Sequence, residues 1–153
     1  MNSSNWPTYA GIMLLSGVGI PILAALNAGL GLRIGSAPAA SVIGLTAALL
    51  FAVIATLISG MMPRDADWGN IPLQFYVGGV FMGFYLVAVT FIAPKFGVGN
   101  AVFFVLLGQI MSAAAIDHFG LFGAAKASIG GVRIFGIVLM MVGVFLARKK
   151  VGH

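Results

Sequence analysis

The chain contains no cysteine and no glutamate, and only three aspartates, Asp65, Asp67 and Asp117. Without cysteine there is no disulfide framework and no thiolate chemistry. Charged residues of both signs make up 7% of the 153 residues, against about 25% in a soluble domain. No nucleophile–base pair and no metal-ligand cluster can be assembled from this inventory. Asp117 and His118 are adjacent, so on a helix they lie on different faces. Enzymatic chemistry, a metal and a cofactor are therefore not expected. The net charge of +5 is not a nucleic-acid footprint either. The cations sit singly at the ends of apolar runs, with no basic stripe interleaved with aromatics. No signal peptide is expected, because the first eight residues hold no Lys or Arg and the first apolar run is too long for an h-region.

What the chain has in abundance is apolar sequence. Hydrophobic residues reach 61%, and the mean hydropathy is +1.12. A helix rises about 1.5 Å per residue, so roughly 20 apolar residues cross a bilayer core of about 30 Å. Five runs approach or exceed that length, at about residues 9–31, 38–62, 71–93, 98–116 and 132–147. The fold class expected is all-α integral membrane, with five transmembrane helices in a single domain over residues 1–153. Trp6 and Tyr9 are placed as interfacial anchors. Pro21 lies inside the first run and predicts a kink or break there. Pro63 to Asn70, with Arg64, Asp65, Asp67 and Trp68, reads as a solvated loop. Gly79 and Gly83 form a GxxxG suited to close helix packing, and Pro94 to Gly97 reads as a tight turn. Asp117 to Gly131 is a glycine- and alanine-rich connection, partly helical or re-entrant, bearing Lys126.

A polar side chain in mid-bilayer is expensive unless it is paired or faces a cavity. Gln109 sits about 11 residues into the fourth run, with Ser112 on the same helical face. Asn27 follows Pro21 in the first run and shares a face with Ser16. Tyr85 lies on the face of the third run that carries Gln74 and Met82. These five residues, Gln109, Asn27, Tyr85, Ser112 and Ser16, are the candidate substrate-binding set. Gln109 also suits a plain interhelical hydrogen bond, and Asn27 suits backbone groups freed by the proline. Asp117 and His118 are candidates for ion or proton coupling. The alternatives are a helix cap, or an ion pair of Asp117 with His118 or Lys126.

Five spans place the termini on opposite sides. The N-terminal side carries Arg64, Lys126 and Arg133. The other side carries Arg33, Lys95, Arg148, Lys149 and Lys150. The positive-inside rule weakly favours a cytoplasmic C-terminus. A count so nearly balanced also suits insertion in both orientations, and two opposed copies would build an inverted-repeat transporter.

Several segments carry a family resemblance. GIPILAALNAGLG (Gly19 to Gly31) resembles the first-helix signature of the YdcZ-type family of small bacterial inner-membrane proteins, within the drug/metabolite transporter superfamily. YVGGVFMGFY (Tyr76 to Tyr85), the P-x-x-G of Pro94 to Gly97, Gly108–Gln109 and DHFGLFG (Asp117 to Gly123) are similar to the same family, in order along nearly the whole chain. The last run, GIVLMMVGV (Gly136 to Val144), resembles the dimerisation segment of small multidrug resistance proteins. The resemblance implies a bacterial inner-membrane location, five helices per chain and an antiparallel homodimer forming a ten-helix bundle. It does not imply a substrate. Gly136 and Gly143, seven residues apart on one face, are the expected dimer contact. Small multidrug resistance proteins carry a first-helix glutamate as their cation and proton site, and no acid occupies the first run here. A neutral, zwitterionic or anionic solute suits the chain at least as well as a lipophilic cation. The function expected is secondary transport of a small metabolite or drug-like solute by alternating access. The alternative is a non-transport membrane subunit that packs on or regulates a larger complex. The partners expected are a small-molecule substrate, membrane lipid and a second copy of the chain.

Overall fold

The computed structural model describes residues 5–61, 63 and 67–147. Arg64 and Asp65 of the polar loop, and the C-terminal Arg148, Lys149 and Lys150, lie outside the described residues. The described chain is all-helical, with α1 (Trp6–Ile34), α2 (Ala37–Ser59), α3 (Gly78–Phe96), α4 (Val98–Phe119) and α5 (Gly131–Ala147). Short 3-10 turns occupy Trp68–Asn70, Leu73–Tyr76 and Leu121–Gly123. Among the described residues, four helical segments are long and apolar enough to cross a membrane: Trp6–Ile34, Ala37–Ser59, Leu73–Phe96 and Val98–Phe119. α5 is apolar, with 17 described residues, about 26 Å of helix, and residues 128–130 before it are not helical.

The helix ends follow from glycine and proline chemistry. α1 stops at Gly35, which takes a left-handed φ of 70° that residues with a Cβ avoid. The carbonyl of Gly31 accepts the N–H groups of both Gly35 and Ser36. Ser36 then opens α2: its backbone is extended, and its hydroxyl accepts the Ala39 N–H at 3.2 Å. Pro38 sits in that first turn, where a missing N–H does no harm.

Two expected boundaries are corrected, and of the kink or break expected at Pro21 the break is absent. α1 is a continuous helix through Pro21, so the proline does not break it. The third run begins as 3-10 turns after Pro72 and becomes α-helical only at Gly78. Pro94, Lys95 and Phe96 complete the last turn of α3 rather than forming a loop. The chain leaves the helix at Gly97 alone, with φ 89°.

Two compact units can be distinguished, Met1–Lys95 and Phe96–His153. In the first, most of the buried residues are small: Ala24, Asn27, Ala28 and Gly31 on α1, Ala40 and Ser41 on α2, and Val89, Thr90 and Ala93 on α3 beside the larger Leu86. The tightest approaches fall on Gly31 and Gly44. A Cβ on Gly31 would lie 2.9 Å from Thr90 Cγ2, and one on Gly44 would lie 2.8 Å from Asn27 Oδ1. The GxxxG of α3 does not play this part. Nothing approaches the Cβ position of Gly79 within 4 Å, and only Leu45 touches that of Gly83, at 4.0 Å. In the second unit α4 packs on α5, with Ala101 and Ala114 buried and the rings of Phe96 and Phe104 5.6 Å apart.

Candidate functional site

The first unit holds a polar knot inside an apolar helix junction. Asn27, 6% exposed, donates through Nδ2 to Thr90 Oγ1 at 2.8 Å. Thr90, 2% exposed, passes its own proton back along α3 to the carbonyl of Leu86 at 2.6 Å. Ser41 donates to the carbonyl of Ala37 at 2.9 Å and lies 3.4 Å from the same threonine oxygen. Three helices thus converge on one hydroxyl. Threonine can do this because a hydroxyl carries one proton and two lone pairs. Buried in an apolar medium, each of these groups would be costly alone, and the shared bonds offset that.

Tyr85 lies five residues before Thr90 on α3. Its hydroxyl is buried and has no hydrogen-bond partner among the described residues. It is the one unspent buried side-chain polar atom of the described residues, and hence a donor available to a ligand or a water.

Beside the knot, the ends of α1 and α3 and the start of α2 enclose a partly open cleft of about 410 Å³. Gly31, Gly35, Ser36 and Ala37 line one part of it, and Thr90, Phe91, Pro94 and Lys95 line another. The Lys95 ammonium lies over the Phe91 ring, 3.7 Å from its centre, a cation–π contact. Arg33 stays out of the cleft. Its guanidinium folds back to the carbonyl of Gly29 at 3.2 Å.

The second unit carries the other candidates. Gln109 is the twelfth of the 22 residues of α4 and is exposed, as is Ser112 one turn on. Neither amide nor hydroxyl has a hydrogen bond within the described chain. At the end of α4, Asp117 Oδ2 accepts from Arg133 Nη2 at 2.7 Å. The acid is therefore paired neither with His118 nor with Lys126, but with a cation 16 residues on, at the start of α5. His118 Nδ1 accepts the N–H of Ile129 at 3.3 Å, and the Asp117 carbonyl accepts that of Ala127 at 2.8 Å. These bonds hold the connection 120–130 across the end of α4. Gly120 and Gly123 there take left-handed φ, and Phe122 does so without being glycine.

Ion pairs this exposed are modest, with side chains 37% and 39% accessible. Asp117→Asn or Arg133→Gln is expected to speed tryptic cleavage after the exposed Lys126 about fivefold. That corresponds to ~1 kcal/mol, between an exposed pair and a buried charge-assisted bond. Peptide mass fingerprints over time would measure it, and an unchanged rate would leave the pair no part in holding the connection.

The candidates thus separate into groups. Asn27 is brought to Thr90 and Ser41, with Tyr85 in the same unit. Ser16 is exposed on α1 and donates to the carbonyl of Ile12 on its own helix at 2.9 Å. Gln109 and Ser112 form a second set, and Asp117 with His118 a third. Gly136 and Gly143 have nothing within 4 Å of their Cβ positions. Sequence reasoning missed Thr90, Ser41 and Arg133. The available signal for the first two was the same as for Asn27: a hydrogen-bonding side chain within an apolar run.

Comparison with curated proteins and with solved structures found no significant match. A family model described as "Putative inner membrane exporter, YdcZ" matches residues 8–146. With that match over nearly its whole length and several helices apolar enough to span a bilayer, the chain belongs to this exporter family and is a multi-pass inner-membrane protein, not a member of an enzyme family.

Proposed function

We propose that the protein exports a small solute by alternating access, working as an antiparallel homodimer of ten helices. The observation that carries this reading is Gln109. Its amide stands midway along a helix about 33 Å long, exposed and without a hydrogen bond among the described residues. Lipid tails offer an amide nothing, so a mid-depth position of this kind belongs against a polar cavity or a second chain. Inverted-repeat transporters bind substrate at that depth. In this reading Gln109 and Ser112 contact the solute, the unspent hydroxyl of Tyr85 and the Asn27 knot shape its cavity, and Ser16 lies along the same route. Asp117 and His118 serve coupling from the helix end. Gly136 and Gly143 supply the flat face on which α5 meets its partner copy. The alternative, a non-transport membrane subunit, places the same polar groups against a larger complex.

Two measurements test the proposal. A cysteine added at the C-terminus of this cysteine-free chain is expected to be labelled from both membrane faces; labelling from one face only would eliminate the homomeric antiparallel pair. A screen of metabolite classes by thermal stability is expected to yield a solute that raises the melting temperature and is carried across proteoliposomes. A stabilising solute that is never transported would favour the subunit reading.

A further inference from the structure

We infer that the cleft at the α1–α2 turn is a specific site for an anionic phospholipid, with the lipid phosphate on Lys95 and an acyl chain along Phe91 and Leu32. The cleft shares Thr90 with the Asn27 knot, but lipid binding at Lys95 does not depend on transport.

The first argument is charge. Lys95 lines the cleft, and no acidic residue lines it with Lys95 among the described residues. The only acid among the described residues of that unit is Asp67, which lies beyond the far end of α2. A helix of 23 residues separates the two ends, about 34 Å. The aromatic ring under the ammonium orients it but does not neutralise it. The N-terminus of α2 opens on the same cleft and adds positive potential, against the carbonyl ends of α1 and α3, of which that of α1 is partly satisfied at Gly31 by two N–H groups.

The second argument is place. The cleft lies where three helices end, which is the headgroup level of a bilayer, and its outer wall is apolar. Leu32 is 69% exposed and Phe91 56% exposed. A soluble anion would leave that wall unused, whereas a phospholipid satisfies both parts at once: phosphate at the cation, tail on the leucine and phenylalanine. The inner wall is formed by glycine, alanine and the methyl-bearing Thr90, so the room exists because these side chains are small.

The test is native mass spectrometry of the purified full chain, loaded with equal amounts of phosphatidylglycerol and phosphatidylcholine of matched chains. Preferential retention of phosphatidylglycerol is expected. Lys95→Gln should reduce that preference about fivefold, the weight of one juxtamembrane lysine, and Lys95→Arg should restore it. Phe91→Leu, which removes the ring beneath the ammonium, should give a smaller loss in the same direction. Lys126→Gln, in the other unit, should change nothing. Equal retention of the two lipids, or an equal loss in the Lys126 and Lys95 variants, would overturn the site. So would glycerol 3-phosphate competing as well as the intact lipid, since that would make the cleft a soluble-anion site.

Discussion

Gly44→Val is expected to melt far earlier than the parent chain in detergent, with the ratio of folded to unfolded protein falling about 5- to 150-fold. The estimate is ~1–3 kcal/mol for forcing extra carbon into a packed junction. A Cβ at this position would sit 2.8 Å from Asn27 Oδ1 and 3.2 Å from Leu86 Cδ2. Leu86 is almost completely buried, and the Asn27 amide is tied to Thr90, so neither can withdraw freely. Gly19→Val is the comparison. Nothing lies within 4 Å of its Cβ position, and the change in helix propensity is the same, so it should be neutral or mildly stabilising. The pairing is tested by a double-mutant cycle. In an Asn27→Ala background the worst contact is gone, and the cost of Gly44→Val should shrink to that of the Leu86 contact. Full additivity would mean that Asn27 does not rest against Gly44, and an unaffected Gly44→Val would undo the three-helix junction itself.

The same junction marks the limit of what hydropathy can reveal. Spans are readable because each helix must satisfy its own backbone in lipid, so a long apolar run has one reading. Helix ends at Gly35, Gly60 and Gly120 are similarly local, set by left-handed glycine. Proline was less informative. Pro21 remains inside a continuous α1, and Pro94 is absorbed in the last turn of α3, since a missing N–H stops a helix only where nothing else supports it. Pairings were not readable at all. Asn27 and Thr90 are 63 residues apart, and Asp117 reaches Arg133 across a non-helical connection. No periodicity within one run encodes a partner in another. Gly31 and Gly44 show why GxxxG patterns mislead here. Close approach is decided by which face meets a neighbour, and of the α3 glycines with the motif spacing Gly79 meets nothing within 4 Å and Gly83 only Leu45, at 4.0 Å.

Under the proposed dimer and transport site, Gln109→Leu is expected to lower solute affinity about two- to twelvefold while leaving assembly intact, the loss of one neutral hydrogen bond at ~0.5–1.5 kcal/mol. Leucine keeps the apolar bulk of the side chain and removes only the amide. Because Gln109 is exposed and unbonded among the described residues, folding of the monomer should not register the change. That separates the residue from Asn27, whose amide is already engaged in the fold. If the amide instead bridges the two copies, the pattern reverses: assembly weakens, and affinity per surviving dimer holds. Gly143→Leu calibrates the assembly arm. It should drive α5 from its partner, reducing the dimer fraction, without touching affinity in the dimers that remain. Measuring dimer fraction by crosslinking, and affinity by titrating the solute identified in the stability screen, assigns each residue its role. Normal affinity in a destabilised Gln109→Leu dimer would remove Gln109 from the transport site and leave it as an interhelical contact.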